Sequence, residues 1–224
     1  MTLARARGNS GEPLPIVVLI SGRGSNLQSI IDRSADGRLN VTIKAVISNE
    51  PDAAGLDRAK SSGVEAIALP HRDYADRASF DRALASCIDA FAPGLVVLAG
   101  FMRLLTTEFV QRYAGRLINI HPSLLPAFQG LDTHQRALDA GEREHGVSVH
   151  FVTPELDGGP IIAQARVPVR EDDDAETLGA RVLEQEHELY PRVIGWFAAN
   201  RLELADGVAL LDGRPALDSA AAGG

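Results

Sequence analysis

Cysteine is almost absent from this chain of 224 residues, which contains a single one, Cys87. One cysteine cannot form an internal disulfide, and Cys87 lies on an apolar stripe with helical spacing, which favours a buried thiol over a catalytic one. A chain of this length can bury about 70% of the surface of its unfolded state. Its core therefore needs neither a disulfide nor a structural metal.

Long apolar runs and basic tracts are also missing. The longest wholly apolar stretches, such as 16–20 and 95–99, are much shorter than the about 20 residues of a membrane span. The 22 Lys and Arg against 30 Asp and Glu give a formal net charge of -8. These absences argue against a membrane protein and a nucleic-acid-binding protein, and they leave small anionic ligands open.

The two ends of the chain consist mostly of small and polar residues. Two arginines precede an apolar run near the N-terminus, as in a signal peptide, but Glu12 and Pro13 interrupt the pattern and no small-residue cleavage site follows. We therefore expect a cytoplasmic protein. We further expect a flexible extension over 1–13, a single domain over 14–212 and a C-terminal tail over 213–224.

Apolar, β-branched runs alternate with segments of helical periodicity through residue 120. The predicted strands are 16–20, 41–47, 65–69, 95–99 and 117–120. The predicted helices between them are 26–34, 53–61, 76–91 and 106–113. This order is typical of a Rossmann-like α/β fold, with a mostly parallel central sheet and helices on both faces.

The pattern changes in the second half of the chain. Segments 147–152 and 161–169 alternate polar and apolar residues, which predicts an antiparallel C-terminal portion of the sheet. A long helix is predicted over 175–200, opened by Asp173 and Glu176 at capping-box spacing. The acidic run 172–174 fits this cap and a solvated turn better than a metal site.

A glycine-rich segment, 21–26, separates the first strand from the first helix. Its sequence is SGRGSN, and its glycines allow positive φ angles and a close approach of the backbone to an anion at the helix N-terminus. Ser25 or Asn26 can cap the helix and also bind a ligand. The third glycine of a dinucleotide site and the lysine of a P-loop are missing. The segment therefore fits a mononucleotide or sugar phosphate, or else a plain turn and cap.

A second polar group follows the fifth strand, where open α/β sheets bind ligands. Asn119 and His121 share one face of an extended segment, and they can donate to an oxyanion and exchange protons near neutral pH. The alternative is a buried Asn and His closed off by Pro122. Asp157 precedes two glycines, as in many turns, but near His121 its carboxylate would orient the imidazole and raise the pKa of that ring.

Five segments together resemble the glycinamide ribonucleotide transformylases, folate-dependent enzymes of purine synthesis. They are ISGRGSNL at 20–27, AGFMR at 99–103, NIHPSLLP at 119–126, HGVSVHFV at 145–152 and LDGGP at 156–160. The third and fifth are shared with the wider group of 10-formyltetrahydrofolate formyltransferases. The resemblance implies transfer of a formyl group from 10-formyltetrahydrofolate to the amine of glycinamide ribonucleotide, through a tetrahedral intermediate.

The resemblance also implies a role for each matching residue. Asn119 and His121 would hold the oxyanion, and His121 with Asp157 would move the proton to the folate nitrogen. The residues that would bind the ribonucleotide are Gly24, Ser25, Asn26 and Glu186, the last at the ribose hydroxyls. The folate-binding residues would be Arg77, Met102, Arg103, Leu104, Leu105, Asn119, Val152, Thr153, Pro154, Glu155, Leu156 and Asp157. Ser148 and His150 share one face of their strand and would support the site.

Two of these assignments have plain alternatives: Glu186 as a solvated helix position, and Arg77 as a surface arginine. We expect no metal, since His145 and His150 have no carboxylate or cysteine pattern around them. We expect small-molecule substrates, no nucleic acid or membrane partner, and a monomer or homodimer.

Two rival functions fit the sequence less well. A formyltransferase acting on methionyl-tRNA would need a basic RNA-binding domain after about residue 200, where this chain has little positive charge. A non-enzymatic nucleotide-binding module would explain the glycine segment but would leave Asn119, His121 and Asp157 as coincidences.

Overall fold

The central strand β1 (Leu14–Ile20) shows why the apolar runs of this sequence form a sheet covered on both sides. Alternate side chains along it enter two different hydrophobic clusters, and every residue from Ile16 to Ile20 is fully buried. A strand buried on both faces shows no polar alternation, as its sequence indicated. The computed structural model describes residues 11–217.

Seven strands form the main sheet in the order β3-β2-β1-β4-β5-β6-β7. The other bounds are β2 (Val41–Ser48), β3 (Ala66–Ala68), β4 (Leu95–Leu98), β5 (Leu117–His121), β6 (Glu144–Phe151) and β7 (Ile161–Pro168). Pairings among β1–β5 are parallel, whereas β5–β6 and β6–β7 are antiparallel. The predicted fold, mostly parallel with an antiparallel C-terminal portion, is confirmed.

Helices cover both faces of this sheet. Their bounds are α1 (Ser25–Ala35), α2 (Ala54–Ser61), α3 (Arg77–Asp89), α4 (Thr107–Arg112), α5 (Thr133–Asp139) and α6 (Ala175–Ala198). Apolar residues of α1, α2 and α6 belong to one hydrophobic cluster and those of α3 and α4 to the other. The order of strands reverses between β1 and β4, which opens a crevice at their carboxyl ends.

The cap of α6 differs from the prediction by one residue. The N-cap is Asp174, whose carboxylate accepts from the Thr177 N–H at 2.8 Å, while the Thr177 hydroxyl accepts from the Asp174 N–H at 2.9 Å. Asp173 instead makes two contacts of 2.8 Å with the guanidinium of Arg181. The predicted pair of Asp173 and Glu176 was therefore wrong, because the first carboxylate is committed to an arginine two turns along the helix.

A second, three-stranded sheet follows α6, which the sequence did not predict. It contains β8 (Leu202–Ala205), β9 (Val208–Leu211) and β10 (Arg214–Pro215). Ala216, directly after β10, is buried in the hydrophobic core, with only 1% of its surface exposed. Folded structure thus continues past Asp212, where the sequence placed the start of a tail. The predictions for residues 1–10 and 218–224 lie outside the described residues. No helix among residues 11–217 is long and apolar enough to cross a membrane.

Candidate active site

The glycine segment forms a helix start that is open to an anion. Gly24 is the N-cap of α1 with a φ of 71°, and no side chain caps the first turn. The predicted cap by Ser25 or Asn26 was wrong, because both lie inside the helix rather than before it. The first N–H groups of a helix have no partner within the helix, so here they remain available to a phosphate.

Helix α2 holds this segment in shape through close backbone packing. A Cβ at Gly24 would lie 2.8 Å from Cα of Gly55, and the Gly55 N–H donates to the Gly22 carbonyl at 3.0 Å. Arg58 donates from Nε to the Arg23 carbonyl at 2.8 Å. Both glycines are thus needed for the approach of the two segments, and their neighbours are fixed by hydrogen bonds.

Asn26 and Glu186 form a buried polar pair between α1 and α6. The Asn26 amide donates to a Glu186 carboxylate oxygen at 2.5 Å, and each residue is 8% exposed. Burial raises the pKa of Glu186, and the hydrogen bond from Asn26 opposes that change. The alternative of a solvated Glu186 is excluded. The Asn26 Oδ1 atom is buried without a partner, as expected for a group that awaits a ligand donor.

Three polar side chains, those of Asn119, His121 and Asp157, meet at the face of β5. His121 Nδ1 lies 3.4 Å from one Asp157 carboxylate oxygen, and Asn119 Nδ2 lies 3.5 Å from the other. The end of β6 at Phe151 pairs with Ile118, so the following loop folds back over the sheet face to bring Asp157 there. Asp157 itself has a φ of 47°, in the left-handed region that Asp tolerates.

The electrostatics of His121 differ from the prediction. Burial lowers the pKa of His121, and this outweighs the Phe128 carbonyl and the Asp157 carboxylate, which raise it. The expected rise was therefore wrong in its net direction, because the ring is nearly inaccessible to water. Nε2 lies 2.9 Å from the Phe128 carbonyl oxygen, which can only accept. Nε2 therefore carries the proton in the neutral ring, which leaves Nδ1, facing Asp157, to take up another.

Asp157 remains ionised in this setting. Burial would raise the pKa of Asp157, but the His150 ring, the Gly130 N–H and the charge of His121 together lower it. The Gly130 N–H donates to the carboxylate at 3.0 Å. The loop after β5 thus stabilises the carboxylate through its backbone.

Asn119 is oriented by His150 on the neighbouring strand. His150 Nδ1 lies 2.9 Å from the Phe151 carbonyl oxygen, and its Nε2 lies 3.2 Å from Asn119 Nδ2 and 3.6 Å from an Asp157 carboxylate oxygen. The second Asn119 hydrogen is left with only the 3.5 Å contact to Asp157. It is therefore available to an oxygen of a substrate.

Ser148 fixes the chain just after His121. Its hydroxyl donates to the Ser123 carbonyl at 2.7 Å and accepts from the Leu125 N–H at 3.0 Å. The amide of Gln164, on β7, donates to the same hydroxyl at 2.8 Å. Ser148 and His150 do share one face of β6, next to His121 and Asn119 respectively.

The predicted folate-binding residues lie in two exposed segments. Met102 is 67%, Leu104 52% and Leu156 53% exposed. Leu105, Val152 and Thr153 are half-buried, whereas Pro154 and Glu155 are exposed. Two polar atoms here, Arg103 Nε and Thr153 Oγ1, are buried without a partner.

Arg77 is exposed at the start of α3, and its side chain makes no hydrogen bond or ion pair with another residue of 11–217. Cys87 is half-buried against the core, and burial raises the pKa of its thiol. No group of three His, Cys, Asp or Glu within 11–217 could hold a metal ion.

Sequence reasoning missed the backbone partners of the site. The Phe128 carbonyl and the Gly130 N–H hold His121 and Asp157, and the Gln129 amide donates to the Asp157 carbonyl at 3.3 Å. These contacts use groups that every residue has, so no residue type marked them. The one residue type in the sequence that pointed to this loop was the glycine at 130, because its φ of 81° is one that only a glycine adopts readily.

Comparison with known proteins identifies the family of this chain. A family model described as formyl transferase matches residues 14–194. A phosphoribosylglycinamide formyltransferase of Escherichia coli (strain K12) is 54% identical over 199 residues, which cover 89% of this chain and 94% of that protein. The human trifunctional purine biosynthetic protein adenosine-3 is 41% identical over 191 residues, 85% of this chain and 19% of that one.

Solved structures agree with the sequence matches. The phosphoribosylglycinamide formyltransferase of Coxiella burnetii has a TM-score of 0.88 and 54% identity, covering 91% of this chain and 96% of its own. A formyltetrahydrofolate deformylase of Pseudomonas putida KT2440 has a TM-score of 0.82 and 28% identity, covering 91% and 72%. The resemblance seen in the sequence is confirmed by the family match, the identity and the shared fold: the chain belongs to the formyl transferase family.

Proposed function

We propose that this enzyme transfers the formyl group of 10-formyltetrahydrofolate to the amine of glycinamide ribonucleotide, a step of purine biosynthesis. The observation that carries the proposal is the meeting of Asn119, His121 and Asp157, with His121 Nδ1 3.4 Å from the carboxylate. The formyl group and its ribonucleotide acceptor are those named for the relatives of 54% identity, and formyltetrahydrofolate is named for the Pseudomonas neighbour.

The reaction needs one site that handles an anion and a proton together. The amine nitrogen bonds to the formyl carbon, and the carbonyl electron pair moves onto oxygen, which gives an oxyanion and a cationic amine. When the carbonyl re-forms, the bond to N10 of the folate breaks, the amine loses a proton and N10 gains one. An amide N–H beside a histidine and a carboxylate can serve both needs.

In this proposal Asn119 donates its second N–H to the oxyanion. Nδ1 of neutral His121 receives the proton of the amine, directly or through water, and later delivers it to N10. The ionised Asp157 stabilises the imidazolium while it exists. The lowered pKa of His121 supports this role, because a ring that is neutral near pH 7 can accept a proton.

We place the substrate pockets where polar groups of the protein lack a hydrogen-bond partner. The open first turn of α1, with Gly24, Ser25 and Asn26, is suited to the phosphate, and Glu186 to the ribose hydroxyls. Met102, Arg103, Leu104, Leu105 and the loop 152–157 would hold the folate, since they combine exposed apolar side chains with the buried Arg103 Nε and Thr153 Oγ1. Arg77 would pair with the carboxylates of the folate tail.

One assay tests transfer against hydrolysis, the reaction named for the Pseudomonas neighbour. The protein is mixed with 10-formyl folate, with and without glycinamide ribonucleotide, while the absorbance of the deformylated folate is followed. We expect product only when the amine is present, and a formylated ribonucleotide by mass spectrometry. Equal rates without the amine, or no product in either mixture, would overturn the proposal.

The remaining expectations are independent of the assay. A cytoplasmic location, a monomer or homodimer, and reaction without a metal, nucleic acid or membrane partner stay predictions of the sequence.

A further inference from the structure

A groove between the C-terminal parts of α1 and α6 is lined by four arginines. Its volume is about 280 Å³, close to the roughly 300 Å³ at which small-molecule pockets begin. The lining includes Arg33, Arg38, Leu39, Arg192, Trp196 and Arg201, and it includes no Asp or Glu. We name it the arginine groove.

Three of the arginines are held by carboxylates that lie outside the lining. These ion pairs are Arg33 with Glu188, Arg38 with Asp36 and Arg201 with Asp212. Each pair occupies Nη2, alone or with Nε, and within residues 11–217 the Nη1 groups of the three arginines make no hydrogen bond. A guanidinium has five N–H donors, so each paired arginine can still bind an anion.

The fourth arginine has no carboxylate partner among the described residues. The guanidinium of Arg192 lies 5.9 Å from the ring centroid of Trp196, which is half-buried. The indole therefore lies beside a cation that has no carboxylate partner among the described residues. Base-stacking on an aromatic ring is worth about 1–3 kcal/mol in nucleic-acid-binding proteins. The combination of arginine donors and a half-buried indole ring matches a ligand that carries both a phosphate and a base.

The arginine groove is separate from the candidate active site. Arg33 follows Asn26 by two helical turns on the same face of α1, about 10 Å along the axis. Trp196 follows Glu186 on α6 by about 15 Å. The two sites therefore lie at different levels of one helix pair, and the groove contains none of the residues assigned above to catalysis or substrate binding.

We propose that the arginine groove binds a nucleoside phosphate, with the phosphate on Arg38, Arg192 and Arg201 and the base against Trp196. The paired carboxylates hold the guanidinium groups in place before binding, which reduces the entropy lost on association. This site is additional to the phosphate site at the start of α1, and it does not depend on the reaction proposed above.

The experiment uses Trp196 as a local probe, since it is the one tryptophan of the chain. Adenosine 5′-diphosphate is titrated into the full-length protein while tryptophan fluorescence and, in parallel, calorimetric heat are recorded. We expect saturable quenching and a Kd that rises with added NaCl. Adenosine should bind at least tenfold more weakly for want of the phosphate, and inorganic pyrophosphate at least threefold more weakly for want of the base.

Variants distinguish this groove from the glycine segment. Arg192→Gln removes no ion pair among the described residues and should weaken the calorimetric Kd at least tenfold, and Arg38→Gln should act in the same direction. The matched control is Arg166→Gln, a surface arginine paired with Glu144 outside the groove, which should leave the Kd unchanged. No saturable binding by the wild type at millimolar concentration would overturn the proposal. So would equal Kd values for all three variants, or adenosine binding as tightly as the diphosphate.

Discussion

At the scale of single residues, the candidate site depends on the buried side chains of His121 and Asp157, each of which changes the pKa of the other. Burial lowers the pKa of His121, and the contacts of Asp157 lower the pKa of that carboxyl against the effect of its own burial. Near neutral pH the pair is thus a neutral base beside a fixed negative charge. This arrangement favours a histidine that is protonated only briefly, when a substrate supplies the proton.

Replacing Asp157 with Asn should remove that charge while keeping the shape of the loop. Asn tolerates the left-handed φ of 47° and can still accept from the Gly130 N–H. We expect kcat to fall by about 10²- to 10⁴-fold, because the imidazolium of His121 loses its stabilisation. Steady-state kinetics with both substrates measure the effect, and Asp172→Asn, on an exposed turn, is the control. A rate within threefold of the wild type would remove Asp157 from the mechanism.

Replacing Asn26 with Ala should affect both binding and stability. Its amide is the hydrogen-bond partner of the buried Glu186, so its loss leaves a buried carboxylate unsatisfied and costs about 1–3 kcal/mol of unfolding free energy. We expect a higher KM for glycinamide ribonucleotide and an unchanged KM for the folate. Urea unfolding and kinetics test this beside Asp32→Ala, on the exposed face of the same helix. A change confined to the folate KM would show that the two pockets have been exchanged.

At the scale of elements, the glycine segment is shaped by a neighbouring helix rather than by its own sequence alone. A Cβ at Gly24 would lie 2.8 Å from Cα of Gly55 in α2, and a Cβ at Gly55 would lie 2.4 Å from Cδ1 of Ile20, so neither position has room for a side chain. Helix α2 therefore belongs to the phosphate site although it contributes no side chain to the proposed ligand contacts.

The two glycines at the start of the segment allow a matched test of this packing. Gly24→Ala would place a Cβ 2.8 Å from Gly55 Cα at a φ of 71°, so the segment must move. Gly22→Ala meets nothing within 4 Å and has no positive φ. We expect at least a tenfold rise in the KM for glycinamide ribonucleotide in the first variant and little change in the second. Equal KM values in the two variants would contradict the role of the close packing.

Elements with strong hydrophobic periodicity could be predicted from the sequence, and weakly patterned ones could not. The strands of the parallel sheet were predicted because burial on both faces leaves continuous apolar runs. Helix α5 was missed because only Thr133 and Ala137 are buried, so it has no apolar stripe, and its N-cap Asp132 has a φ of 55°. The strands β8–β10 are two to four residues long and lie below the length at which alternation is visible.

The same division holds within the candidate site. Asn119, His121 and Asp157 could be named because their side chains carry chemistry, and the structure brings them together, although their catalytic roles stay predictions. The direction in which the pKa of His121 shifts could not be predicted from the sequence, because it depends on how much water the fold excludes from the ring. The partners at Phe128 and Gly130 are backbone groups, which the sequence does not distinguish.

At the scale of the whole molecule, buried histidines should make the fold sensitive to acid. His145 is 1% exposed and forms a 3.1 Å contact with His134. Burial, with a smaller effect of His134, lowers the pKa of His145 to about 4. Burial also lowers the pKa values of His134 and His121. The ordinary pKa of a histidine in the unfolded chain is about 6.5, so the unfolded state takes up protons first as the pH falls.

The free energy of unfolding should therefore be highest above pH 6.5 and should decrease as the pH falls toward 4. For His145 alone the full effect is about 3–4 kcal/mol, from a fall of about 2.5 pKa units at about 1.4 kcal/mol per unit. The raised pKa of Glu186 acts in the opposite direction, and carboxyls with lowered pKa values, such as Asp173, contribute only below about pH 4. Histidines therefore dominate the window from 6.5 to 4.

Urea unfolding at pH 7.5, 6 and 5 measures this slope. We expect His145→Gln to have a shallower decrease than the wild type, whatever its absolute stability, because the buried titrating group is gone. The control is Gln111→Ala, an exposed amide on α4 that takes up no proton, which should keep the slope of the wild type. Identical slopes in all three proteins would mean that acid acts on this fold through groups other than its buried imidazoles.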